Sequence, residues 1–394
     1  MTKLQIPFAL RPMTALALGF LGGCLLPAVG TPVLAAVLAV CAALAAWGVL
    51  SGRTKTALFL TGVLFGALRA LFPPLNLPAA AAERVSGIAR TVGERTDALF
   101  PAFPGVARGM LLGGRNAAVD PALKERLYAV GIGHLLAVSG LHVSVLAGCI
   151  LKVWRVGAPK LRFVCLMAFL AGYCILTGGA PSVIRASVML LYATPLALPP
   201  HRRDSMVSLS LALITVLLFD PAAAGGAGFL LSFTAVAGIL LLDGPLTRNT
   251  AFLPYRLRSG LAVSVAAVLG TLPVSVSFFG EVSAVGVLAN LIILPLVPFF
   301  LIPAFGCVVL SCIAPGLAAC IAQFPQGVLW AILTLADAGG NTMMRIAAPG
   351  ALACVCYYAA MLAVSDCCRL TPKRKVLAAA ACAVTCTVLW TAGL

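Results

Sequence analysis

The chain has 394 residues, of which 62% are hydrophobic and 10% charged, with a formal net charge of +16. A soluble domain carries about 25% charged residues, so this composition excludes an ordinary soluble globular protein. Lys and Arg collect in the cytoplasmic loops of membrane proteins, so most of the positive excess is read as topology rather than as a nucleic-acid-binding face.

Apolar runs long enough, or nearly so, to cross the hydrocarbon layer recur along the chain. They lie at Met13–Val29, Val33–Leu50, Thr56–Phe72, Tyr128–Leu151, Phe163–Thr177, Pro181–Leu198, Met206–Phe219, Gly228–Leu242, Gly260–Phe279, Ala284–Val309, Leu317–Ala336, Ala351–Val364 and Val376–Trp390. The predicted fold is an all-α polytopic integral membrane protein with about 11–13 transmembrane helices, several of them broken. The first run is read as a retained span rather than a signal peptide, because a second follows at once. Four stretches organise the chain: amino-terminal transmembrane helices over 1–72, an extracytoplasmic amphipathic segment over 73–127, a central core over 128–300, and carboxy-terminal transmembrane helices over 301–394.

Loop charge sets the orientation. Basic residues follow alternate spans, among them Arg53 and Lys55, Lys152 to Arg162, Arg202 and Arg203, Arg248 to Arg258, and Arg369 to Lys375. With Lys3 and Arg11 before the first span, all fall on one side if the amino terminus is cytoplasmic. This predicts a multi-pass protein of the bacterial inner membrane. Arg69 ends the third span and is read as snorkelling. Most of the 14 cysteines sit in apolar runs as small hydrophobes, so neither a disulfide framework nor a metal site is expected. No G-x-x-x-x-G-K-[ST] loop is present, so no built-in ATPase and no cofactor is expected.

Three segments combine polar residues with helix breakers at membrane depth, where irregular backbone survives only inside protein or along a water-filled path. Gly131–Gly148 holds His134, Ser139-Gly140 and His142. These histidines either bond neighbouring carbonyls near one membrane face or flank a break that lines a path. Tyr173–Leu190 holds Gly178-Gly179, Pro181 and Arg185. An arginine inside an apolar helix is a functional hypothesis by default, with snorkelling as the alternative. Gly270–Pro298 holds Pro273, Glu281, Asn290, Pro295 and Pro298.

Together these segments resemble the competence domain of the ComEC/Rec2 family of DNA-uptake proteins. The likeness rests on HLLAVSGLHV (His134–Val143), LTGGAPSVIRASVM (Leu176–Met189), the RRD of Arg202–Asp204, DPAAAGGAGFLLSFTAVAGI (Asp220–Ile239) and LGTLPVSVSFFGEVSAVGVLANLIILPLV (Leu269–Val297). It covers about residues 105–300 in order. The resemblance implies a channel that passes one strand of transforming DNA inward, without catalysis of its own. By position it implies path-lining or structural roles for His134, Ser139, His142, Pro181, Arg185, Phe229, Ser232, Phe233, Pro273 and Asn290. The implied partners are single-stranded DNA, the lipid bilayer, a separate nuclease, a periplasmic or surface DNA receptor, a cytoplasmic motor or single-strand-binding protein, and further copies of the chain. The expected departures are a missing β-lactamase-like nuclease domain and too short a 73–127 segment for an OB-fold domain. The rival readings are a small-molecule or ion transporter, a family member without uptake activity, and an intramembrane serine hydrolase using Ser139.

Overall fold

In the computed structural model, residues 12–26, 40–45, 51, 54–75, 78–114, 117–153, 159–194, 203–340, 342–366 and 372–391 are described. Most of the second expected span, Val33–Leu50, lies outside them, as do Lys3, Arg11, Arg53, Arg155, His201, Arg202 and Arg369. The described chain is helical, as its composition predicts. Among the described residues, five helices are long and apolar enough to cross a membrane: Pro159–Leu176, Ala227–Asn249, Leu257–Phe279, Gly286–Leu310 and Pro315–Ala338. Shorter apolar helices cover Pro12–Leu25, Gly140–Lys152, Pro181–Ala193, Ser205–Phe219 and Ala351–Val364. The departure from an all-α chain is one antiparallel ribbon, β1 (Glu281–Ser283) with β2 (Met343–Arg345), which pairs Glu281 with Arg345.

The chain divides into two compact units, each discontinuous in sequence. The first comprises Met1–Asn76, Pro199–Gly280 and Ile346–Leu394. Its helices are α1 (Pro12–Leu25), α2 (Thr54–Ala70), α9 (Ser205–Phe219), α10 (Ala227–Asn249), α11 (Tyr255–Phe279), α15 (Ala351–Val364) and α16 (Pro372–Thr391). Lipid is as apolar as leucine, so helices in this setting associate through close packing rather than hydrophobic burial. Accordingly α10 and α11 meet at glycine. A Cβ on Gly238 would stand 2.5 Å from the Ala266 carbonyl oxygen and 2.8 Å from Gly270 Cα. Asp204 starts α9 by accepting from the Met206 and Val207 amides at 2.8 and 3.3 Å, and Asp220 starts the next turn through Ala222 N at 3.0 Å. Both acids of the RRD and DPAAAG motifs are therefore helix caps.

Arg69 does more than snorkel. Its Nε donates to Leu218 O at 2.7 Å, one terminal nitrogen to Phe219 O at 3.0 Å, and the other to Phe72 O and Pro73 O at 3.0 and 3.1 Å. The guanidinium thereby closes the last turn of α9, where a cation also suits the helix dipole. A snorkelling cation is replaceable by lysine, whereas a planar fork serving four carbonyls is not. Arg69→Lys is expected to cost nearly as much thermal stability as Arg69→Ala, about 1.5–3 kcal/mol; a Lys variant as stable as the parent would restore the snorkelling account.

Pro273 lies inside α11 and removes the amide that would reach the Leu269 carbonyl. That carbonyl is answered from α15, where Tyr357 Oη donates to Leu269 O at 2.7 Å and Tyr358 Oη to Gly270 O at 3.1 Å. Tyr357→Phe is expected to cost about 0.6–1.7 kcal/mol. The double variant with Pro273→Ala is expected to recover most of it, because the restored amide takes over the carbonyl. Equal losses in both backgrounds, read by thermal unfolding in detergent, would disprove the pairing.

The second unit comprises Leu77–Leu198 and Glu281–Arg345. It contains α3 (Ala79–Leu99), α4 (Pro104–Leu112), α5 (Pro121–Ala129), α6 (Gly140–Val153), α7 (Pro159–Leu176), α8 (Pro181–Ala193), α12 (Gly286–Ile293), α13 (Val297–Leu310) and α14 (Pro315–Ala338). The expected single span Ala284–Val309 is one apolar helical stretch, Gly286–Leu310, tightened to a 3₁₀ turn at Leu294–Leu296, where Pro295 lacks a donor. The stretch 73–127, read from sequence as an extracytoplasmic amphipathic segment, sends Leu99, Phe100 and the apolar α4 into the core formed with α13 and α14. Phe100 meets Phe300 edge-on, with centroids 5.7 Å apart. Arg95 donates to Ser311 O at 2.8 Å, at the α13–α14 turn. Arg126 pairs with Asp337 at 3.3 Å, at the far end of α14. Residues 95–126 therefore run the full length of that helix hairpin.

Candidate functional site

The second unit brings two of the three polar segments together and ties the later part of the third, from Ser283 to Gly286, to them. Gly178 and Gly179, with φ of 69° and 67°, end α7 through amide bonds to Ile175 O and Cys174 O at 3.0 and 2.8 Å. Two consecutive left-handed residues demand glycine. The chain then turns back, and Pro181 opens α8 at a position where its missing amide costs nothing. Ser182 Oγ donates to Val138 O at 2.6 Å, which fastens α8 to the loop before α6. One turn on, Arg185 is only 6% exposed. Its guanidinium lies over Gly140, where any Cβ would stand 2.6 Å from Nη2. Snorkelling is thus not its role: the side chain lies over the first residue of a neighbouring helix instead of reaching for the surface.

Ser139 and His142 build that helix start. The Ser139 carbonyl accepts from Val143 N at 3.4 Å, and the Ser139 amide donates to His142 Nδ1 at 3.2 Å. Ser139 Oγ lies 2.8 Å from the same nitrogen. This is the returning half of a capping box, a side chain in the first turn reaching back to the N-cap amide, with histidine in place of glutamate. It fixes the tautomer, since a nitrogen that accepts a backbone amide carries no proton, and the hydrogen sits on Nε2. His142 is fully buried, and its Nε2 has no hydrogen-bond partner among the described residues. The guanidinium over Gly140 and the amide dipoles of the α6 amino terminus add in one place. Such a place attracts an anion.

His134 is exposed, in the short turn Gly133–Leu136, with Nδ1 3.2 Å from Gly131 O. The Tyr128–Leu151 span is therefore three pieces: α5, this turn and α6. Gly131, with φ of 86°, meets the third segment, since a Cβ on it would lie 2.8 Å from Gly286 Cα. Asn290 follows one turn later on α12, with a buried Oδ1 that has no hydrogen-bond partner among the described residues. Phe229, Ser232, Phe233 and Pro273 belong to the other compact unit. Phe229 and Phe233 are buried with ring centroids 4.5 Å apart and planes tilted by 35°, so they pack against each other. Ser182 and the seating of Arg185 on Gly140 escaped the sequence reading, although Ser182 stands one residue after Pro181 in the quoted motif. Among the described residues, no three His, Cys, Asp or Glu groups cluster as metal ligands.

A family model described as Competence protein matches residues 110–368, more than half of the chain. The chain belongs to the Competence protein family. Curated relatives of this family member include ComE operon protein 3 of Bacillus subtilis, 34% identical over 207 residues, covering 52% of this chain and 26% of the relative. An uncharacterized protein YcaI of Escherichia coli is 27% identical over 207 residues, covering 48% and 27%. Competence protein ComA of Neisseria gonorrhoeae is 34% identical over 139 residues, covering 32% and 20%. The competence chain thus spans about a quarter of the length of these relatives. No solved structure matches it. The matched range takes in all of the site and continues through α15.

Proposed function

We propose that this chain is a channel carrying single-stranded transforming DNA across the bacterial inner membrane, amino terminus cytoplasmic, with no chemical step of its own. The observation that carries the reading is the buried Arg185 guanidinium seated on the first turn of α6. A strand brings one negative charge per nucleotide, and an uncompensated charge does not enter hydrocarbon. A cation reinforced by helix amides lowers that cost phosphate by phosphate, as basic grooves do for other single-strand binders. Family membership and the likeness to Competence protein ComA of Neisseria gonorrhoeae support the same reading. The tilted Phe229–Phe233 pair is assigned to packing rather than to base contact. Residues 95–126 belong to the channel body, since they follow α13 and α14 along their length. On this reading a driving force, a nuclease and a DNA receptor act together with the channel, and further copies of the chain are compatible with it.

The test is transport into vesicles. Purified protein in sealed liposomes is expected to admit a fluorescent single-stranded oligonucleotide under an imposed gradient and to exclude the same sequence as duplex. Equal passage of both, or passage of small ions alone, would overturn the reading.

One observation favours a second reading. The 2.8 Å contact of Ser139 Oγ with His142 Nδ1 has the reach of a nucleophile and its base. The capping geometry accounts for that contact, because the same nitrogen also takes the Ser139 amide. A fluorophosphonate probe is expected to leave Ser139 unlabelled, and stoichiometric labelling would establish the hydrolase.

A further inference from the structure

The first unit contains a groove of about 620 Å³ lined by none of the candidate site residues. Three helices each line it with one two-turn stripe at i, i+3, i+4, i+7, and Leu269 of α11 and Ile346 complete the wall. On α10 the stripe runs from Leu242 to Asn249, on α15 from Tyr357 to Val364, and on α16 from Ala383 to Trp390. Such stripes normally interlock with a facing helix. Here they face a space that small residues, Ala360 and Ala383, leave open. The volume falls within the range of ligand-binding cavities.

The two ends differ. At one, Trp390 lines the wall and donates Nε1–H to Ala347 O at 2.6 Å, next to the lining Ile346, so this end is lined by apolar groups. At the other, Asn249 lines the wall and its neighbour Arg248 pairs with Asp366 at 2.6 Å. Asp366 follows the last lining residue of α15 by two positions. Lys375 lies 4.0 Å from the same carboxylate and donates to Ser365 O at 2.6 Å. Arg248 beside Asp366 holds its carboxyl below the usual carboxylate range, so the acid is ionised. Two cations face one carboxylate, a net positive charge, and the Arg248 side chain is 62% exposed.

We propose that this groove holds one acyl chain of an anionic phospholipid, its methyl end towards Trp390 and its phosphate at Arg248 and Lys375. The apolar length, with Trp390 and Ile346 at one end, suits a hydrocarbon chain. Asn249 at the mouth suits an ester carbonyl. The net charge beside it selects an anionic head group over a zwitterionic one.

The test is native mass spectrometry of the full chain exchanged into detergent with equimolar phosphatidylglycerol and phosphatidylcholine of identical chains. One phosphatidylglycerol is expected to stay bound, at least tenfold preferred. The Arg248→Gln/Lys375→Gln double variant is expected to bind both lipids equally. Ala360→Trp, which fills the groove, is expected to retain neither. Ala383→Leu provides the same measurement should the tryptophan variant not fold. No retained lipid in the parent, no preference in the parent, or undiminished retention in a folded groove-filled variant would each overturn the proposal.

Discussion

Exchanging Arg185 for alanine is expected to reduce transformation by at least about 100-fold while the protein still inserts and accumulates. Removing a buried charge that answers an anion costs about 3–5 kcal/mol in the step where that anion passes, which is two to three powers of ten in rate. Arg185→Lys is expected to recover little, since an ammonium cannot lie flat over Gly140 as the guanidinium does. Gly140→Ala supplies the internal check. Its methyl would stand 2.6 Å from Arg185 Nη2, so it is expected to impair uptake when arginine is present. In an Arg185→Ala background the same methyl meets nothing of the guanidinium and is expected to add no further loss. Independent, additive losses would show that the two residues do not act as one site.

The largest expected effect on folding lies in the first unit. Gly19 and Gly23 of α1 interleave with Gly62 and Gly66 of α2. A Cβ on any of the four would fall directly on a carbonyl oxygen of the other helix: Phe59, Val63, Leu16 and Phe20 respectively. Backbone cannot yield as a side chain does, so the helices must separate and lose the packing that holds them in lipid. Gly62→Leu is expected to cost about 3 kcal/mol or more, read as loss of folded protein and a lowered melting temperature in detergent. Gly22, beside Gly23 on the same helix, has open space around it, so Gly22→Leu is expected to be tolerated. A comparable loss at Gly22 would contradict the interleaved pair.

The membrane class and most helix positions were legible because hydropathy is a local property. Departures from regular helix were legible where proline or paired glycine marks them, as at Pro295 and at Gly178-Gly179. Pairing was not. The Gly19-x3-Gly23 and Gly62-x3-Gly66 spacings stand in the sequence, yet nothing local says that each faces the other. The same holds for Tyr357, whose role exists only because Pro273, 84 positions earlier, leaves a carbonyl without its amide. In the segment 73–127 the seven Lys and Arg residues and five acids made the amphipathic α3 legible. They did not reveal that Asp97 pairs with Arg108 and Arg126 with Asp337, or that the apolar α4 is buried with α13 and α14. Of the site, Arg185, Ser139 and His142 were readable as anomalies in apolar surroundings. That Gly140 is the seat of Arg185 was not readable, because the two are 45 positions apart and share no pattern.

The measurement closest to the central claim is the fate of labelled DNA in a strain lacking this chain, with surface-bound and cytoplasmic label counted separately. The account predicts that surface binding is unchanged, that cytoplasmic label is lost, and that the parent chain but not Arg185→Ala restores it. Cytoplasmic label undiminished by the deletion, or restored in full by Arg185→Ala, would contradict it.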